Sequence, residues 1–141
     1  MTIDQFNAFC VSLPHTTHVV QWGGAHVWKV GGKVFAIGGW NEATALSVSY
    51  KCSELTFEML KDASGMRPAP YLASRGMSWL QRTSPQTLND AALKDAIRES
   101  HRLVSLGLSK ALQKQLNLNQ PAASAAPAKA ATKTKSQRGT P

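Results

Sequence analysis

A chain of 141 residues with 43% hydrophobic content holds enough apolar material for one modest core, and a second independent domain is not expected. Sixteen basic groups against eight acidic ones give a formal net charge of +8, a balance that suits a polyanionic partner. No apolar run approaches the roughly eighteen residues needed to cross a bilayer and the N-terminus lacks a basic and apolar leader, so a cytoplasmic protein with no membrane role is expected.

Thr2 followed by Gln5 forms a capping-box pattern, and Ile3, Phe6, Phe9, Cys10 and Leu13 recur at helical spacing, which predicts a first helix ending at Pro14. In "HVWKVGGKVFAIGG", two β-rich runs over 26–30 and 33–38 flank Gly31-Gly32, a two-residue hairpin signal. A third strand follows in "ALSVSYK". Its alternation puts Leu46, Val48 and Tyr50 on one face and turns Ser47, Ser49 and Lys51 toward solvent. Ser53 caps a second helix to about Ala63, with Leu55, Met59 and Leu60 inward and Gly65 closing it.

Pro68 and Pro70 make the next stretch an edge strand or loop, and "GMSWLQR" reads as the final strand. A last helix begins near Thr87 or Leu88 and aligns Leu93, Ile97, Val104 and Leu108, with Gly107 as a break before "SKALQKQL". The sum is a two-layer α+β domain over residues 1–118, with helices on one face of an antiparallel sheet. From Asn119 the Ala/Pro/Lys/Thr-rich tail has no large apolar residue and four basic ones, Lys129, Lys133, Lys135 and Arg138. Disorder over 119–141 is therefore expected, with electrostatic reach toward phosphates.

Cys10 and Cys52 are too few for a disulfide framework and read as reduced, buried thiols. His15, His18 and His26 are the one histidine grouping. They fall on an expected loop without a cysteine or carboxylate, so no metal site or cofactor is expected. The glycine pairs lack both the GxxxxGK[ST] and the GxGxxG pattern and read as turns. Neither Cys52 nor Ser78 shows a recognisable base beside it, and an enzyme is not expected.

Between Asp62 and Asp90 there is no carboxylate, while Arg67, Arg75 and Arg82 accompany Tyr71 and Trp79. Guanidinium groups grip phosphates and aromatic faces stack on bases, so the mixture suits nucleic acid. The plainer reading is a core tryptophan and a solvated basic edge. Alternation sets Arg82 opposite Trp79, which keeps the whole set from forming one surface.

The chain resembles the MmcQ/YjbR family of small bacterial proteins over about residues 1–116. The likeness is carried by "SLPHTTHVVQWGGAHVWKVGGKVFAI", "LSVSYKCSE", "MRPAPYLASRGMSWLQR" and "LKDAIRESHRLVSLGLSKAL". The resemblance implies an α-β(3)-α-β(2)-α domain like that of type III secretion chaperones and comparable to frataxin. Members are commonly labelled DNA-binding, and no general catalytic activity goes with the family. Its recurrent positions correspond here to Lys33, Lys51, Arg67, Pro68, Tyr71, Arg75 (often lysine) and Trp79, while His18 stands where glutamate is frequent.

The leading expectation is a non-enzymatic, weakly sequence-specific DNA-binding protein. Lys51, Arg67 and Arg75 would meet phosphates, Tyr71 would pack on sugar or base, and Lys33 and Trp79 would complete the surface. No helix reads as a major-groove element, since Lys94, Asp95, Arg98 and Glu99 alternate in sign along the last one. The competing expectation is a protein, peptide or small-molecule binding module with incidental charge, using apolar surface from Trp28, Trp40 and Phe35. Frataxin-like iron handling is set aside, because the first helix offers only Asp4.

Overall fold

The structure, a computed structural model, describes residues 1–39, 46–70, 72–73 and 76–121. Helix α1 (Ile3–Val11) begins at the expected capping box: the Thr2 hydroxyl accepts from the Gln5 amide, and the Gln5 side chain accepts from the Thr2 amide. Four strands follow, β1 (Thr16–Gln21), β2 (Ala25–Val30), β3 (Lys33–Gly38) and β4 (Val48–Lys51). After α2 (Glu54–Leu60), β5 (Met66–Pro68) and β6 (Trp79–Arg82) complete an antiparallel six-stranded sheet in the order β1-β2-β3-β4-β6-β5. Helix α3 (Asp90–Leu106), capped by Asn89, lies across β3 and β4 and reaches β2.

The chain divides into two compact units, Met1–Leu108 and Ser109–Pro141. Within the second, Ser109 caps the short helix α4 (Lys110–Gln115) by accepting from the Leu112 amide. Among the described residues no helix is long and apolar enough to cross a membrane.

The α+β class and the order of helices agree with the sequence, but a fourth strand precedes α2. Of the histidine grouping only His15 lies in a turn, at φ 56°; His18 belongs to β1, which pairs along β2 over Thr16–Gln21, and His26 belongs to β2. The β1 residues are mostly exposed, so the strand shows no apolar alternation despite its β-branched Thr and Val content. Gly31 and Gly32, at φ 56° and 85°, close the β2–β3 hairpin as expected, a turn that needs two left-handed residues.

Residues directly opposed in a ladder share a face. One face carries Trp28, Ala36, Tyr50 and Leu80 in one row and Gly38, Val48 and Arg82 in the next. Helices α1 and α3 cover it, contributing Phe6, Cys10, Leu93 and Ile97, all fully buried. The fit is close: a Cβ at Gly38 would sit 2.6 Å from the Phe6 ring. Arg82, on this face and opposite Trp79 as expected, is 4% exposed and pairs with Asp90 at 3.0 Å in the first turn of α3.

Ser47 and Ser49 do not face solvent, and Lys51 is only half-exposed. Polarity alone predicted one wet face for β4, but its second face is also covered, through a smaller cluster of Ala25, Val27, Ile37, Ala69 and Trp79 with Val34 and Leu72 packed on it. Leu55 and Met59 depart in the other direction. They are 72% and 70% exposed, and α2, which packs on β5 and β6, buries no residue fully.

A single hydroxyl governs the centre of the sheet. The β3–β4 ladder stops at Ala36 opposite Tyr50, and Phe35 is the extra residue where the β2–β3 register shifts. The carbonyl of Phe35 and the amide of Lys51 both turn to Ser100 of α3: Ser100 Oγ donates to Phe35 O at 2.6 Å and accepts from Lys51 N at 2.9 Å. Ser100→Ala orphans both backbone groups and should cost about 1–3 kcal/mol, read as a lower urea midpoint with unchanged slope; an unchanged midpoint would refute this pinning role.

The next residue, buried His101, donates from Nε2 to the Pro14 carbonyl at 2.8 Å and meets the Phe35 ring edge-on. Burial holds its pKa below the usual imidazole value, His15 adds to the effect, and the Pro14 bond opposes it. The folded state therefore disfavours the second proton. Stability from this group is complete above the unfolded pKa of about 6.5 and is lost as pH falls toward the lower folded value. A urea midpoint that declines between pH 7.5 and 5.5, with a flatter decline in His101→Gln, is the expected outcome.

Candidate functional site

Beyond Ala36 and Tyr50, β3 and β4 part, and the gap lies at one end of an apolar cleft of about 870 Å³. Antiparallel order brings the start of β3, the end of β4 and the start of β6 to the same end of the sheet. Lys33, Lys51 and Trp79 stand there, beside Leu103, Val104 and Gly107 of the α3 terminus. Val34 and Ile37 continue the lining, Leu72 and Met77 flank Trp79, and Trp22 of the β1–β2 turn contributes from the opposite end. Trp22 adopts φ 51°, a left-handed conformation costly for a bulky residue, and its ring is half-exposed.

The cleft's polar groups are donors. Lys33 Nζ donates to the Gly107 carbonyl at 3.1 Å, the cap position of α3, where a cation also suits the negative end of the helix. Lys51 Nζ has no hydrogen bond or ion pair among the described residues. Trp79 is 3% exposed, and its indole N–H has no partner among the described residues. Among the described residues no carboxylate belongs to the lining.

Of the residues expected to form the nucleic-acid surface, Lys33, Lys51 and Trp79 line this one cleft. Arg67, opposite Gln81 in the β5–β6 ladder, shares the sheet face of Trp79 and is exposed, with its Nε donating to Gln81 Oε1 at 2.6 Å. On that face Ser49 Oγ and Gln81 Nε2 also lack partners among the described residues. Burial removes the Trp79 ring as an open stacking platform. Tyr71, Arg75, Lys129, Lys133, Lys135 and Arg138 lie outside the described residues, as does Trp40.

Trp28 and Phe35, the other expected contributors of exposed apolar surface, are 4% and 0% exposed. The bulge turns Phe35 to His101, and Trp28 donates to Asn7 of α1 at 2.9 Å. Among the described residues the exposed aromatic ring is instead Trp22, which sequence reasoning passed over as part of a glycine turn.

The remaining chemistry is structural. His18 stacks on Trp28 and His26, with its Nε2 3.0 Å from His26 Nδ1, and desolvation followed by the neighbouring His26 lowers its pKa. Among the described residues no three His, Cys, Asp or Glu side chains are grouped to hold a metal ion. Both cysteines are free and buried; burial pushes the Cys52 thiol up to about 11, against the opposing Lys51 charge, and raises Cys10 further. Neither is a thiolate at neutral pH.

The sequence model of the YjbR family matches residues 11–103. The chain belongs to the YjbR family. Its fold is similar to the crystal structure of Deinococcus radiodurans protein DR2400, which has a DUF419 domain, with a TM-score of 0.70 and 26% identity over 83% of this chain and 88% of that one. No curated protein matches. The family match spans β1 to the C-terminal part of α3, and thus most of the cleft lining in this YjbR chain.

Proposed function

We propose that this YjbR-family protein is a non-enzymatic binding module whose folded unit holds a small ligand in the Trp22–Trp79 cleft. The observation that carries the reading is the cleft itself. At about 870 Å³ it lies within the roughly 300–1,000 Å³ of ligand pockets, and its lining is apolar with a few grouped polar side chains. No catalytic step is assigned, because burial holds the Cys52 thiol protonated and the lining contributes donors without a base among the described residues. The neutral fluorescent probe N-phenyl-1-naphthylamine should bind saturably to the full chain, and Val34→Phe, which fills the cleft, should weaken it about tenfold. Binding that is absent, or indifferent to Val34→Phe, sinks the reading.

A second reading, phosphate-directed binding of duplex DNA, is favoured by the Lys51 ammonium, which has no partner among the described residues, and by the exposed Arg67. It ranks below the first because residues 1–108 hold ten basic groups against eight acidic ones, which leaves most of the excess charge to residues 109–141. Anisotropy of a labelled duplex should then show weak binding that falls steeply with salt. Neutralising Lys129, Lys133, Lys135 and Arg138 to glutamine should lower affinity more than Arg67→Gln with Arg75→Gln. The reverse ranking would restore the folded surface as the DNA site, and no binding at low salt would retire DNA altogether.

A further inference from the structure

The cleft-binding reading underlies this inference, which concerns what the cleft takes. We infer that its ligand is a small monocarboxylate with a hydrocarbon or aromatic body, its carboxylate at the Lys51 end and its body running over Ile37 toward Trp22. The donor-only lining sets the sign of the charge. Lys33 and Lys51 are cations, and the Trp79 indole N–H is a buried donor; among the described residues the indole has no acceptor and the lining has no carboxylate. A cationic headgroup would be repelled there, and an uncharged polar head would leave the Lys51 ammonium uncompensated.

The count of available charge sets the number. Lys33 keeps its charge but is anchored to the Gly107 carbonyl, where the negative end of α3 offsets part of it, whereas the Lys51 ammonium has no partner among the described residues. The charge left over suits one negative group better than the two charges of a phosphate monoester, the second of which would enter an apolar cleft at a desolvation cost. The body follows from the rest of the lining. Val34, Ile37, Leu72, Met77 and Leu103 offer no hydrogen bonds, and the Gly107 carbonyl is engaged by Lys33. A peptide segment would leave its amides unmatched, whereas a chain or ring system needs no such partners. Geometry at Ser100 holds the charged end in place: it accepts the Lys51 amide and fixes the backbone from which the ammonium extends.

Titration calorimetry of the full-length chain with decanoate, decanol and decylamine tests the inference. Decanoate should bind at least about tenfold more tightly than decanol, the value of one charge-assisted contact, with decylamine weakest. Lys51→Gln should bring decanoate and decanol within about twofold while N-phenyl-1-naphthylamine binding is kept, which shows an intact cleft. Equal affinity for decanoate and decanol in the native chain, or a decanoate preference that survives Lys51→Gln, overturns the carboxylate and leaves the cleft reading standing. If neither these three compounds nor the neutral probe binds, both fall.

Discussion

The Ser100 hydroxyl makes the central sheet divergent rather than continuous. Where β3 and β4 would exchange their next ladder bond, Phe35 O and Lys51 N meet one side chain from α3 instead. A hydroxyl can donate once and still accept, so it satisfies both strands while keeping them apart. The neighbouring features follow from that separation. Phe35 becomes the extra residue in the β2–β3 register and turns its ring to His101, Lys51 ends its strand without a ladder partner on the β3 side, and the cleft opens at that end of the sheet.

Unequal cover of the two faces explains why the opening persists. One face is sealed by two helices whose large side chains are fully buried and whose approach is tight enough to require glycine at position 38. Among the described residues the other is covered by a short stretch around Ala69 and Leu72, and the cleft lies on that side of the six-stranded sheet. Apolar side chains are buried beneath it, yet the layer is not close-packed as an interior is. Charge is distributed along the same division. Arg82, on the helix-covered face, has a carboxylate at 3.0 Å; Lys51, on the other, has none among the described residues. Burying a cation without compensation is costly, which is why the unpaired one stands at a cleft rather than inside a core.

Local signals carried much of the fold into view. The Thr2–Gln5 box, the Gly31-Gly32 turn, the Ser53 cap and the Leu93–Ile97–Val104 stripe each act over a few residues, and each produced the element it announced. What failed were inferences about surroundings. Residues of β1 are exposed, so burial imposes no alternation on them; Ser49 is polar yet fully buried because a distant segment covers it; Leu55 and Met59 are apolar yet exposed because nothing among the described residues packs on that side of α2. The cleft was least legible of all. Trp22, Lys51, Trp79 and Leu103 are brought together by strand order and by α3, and no spacing in the sequence links them.

The unsatisfied donors bear on whether the cleft is a packing defect or a built feature. A defect in an otherwise ordinary core would be lined by hydrocarbon, where a void costs contacts but leaves no polar group stranded. Here one end of the lining holds an indole N–H buried without an acceptor among the described residues, which carries a penalty of its own, and beside it a half-exposed ammonium. Trp22 adds a second cost, a bulky residue held at positive φ at the other end of the same cleft. A smaller apolar residue at 79 and a glycine at 22 would relieve both without altering the sheet order. On the proposed reading an anionic ligand with an apolar body would give the indole N–H its acceptor and the ammonium its counter-charge, so the features that cost stability in the empty cleft are the ones such an occupant would use.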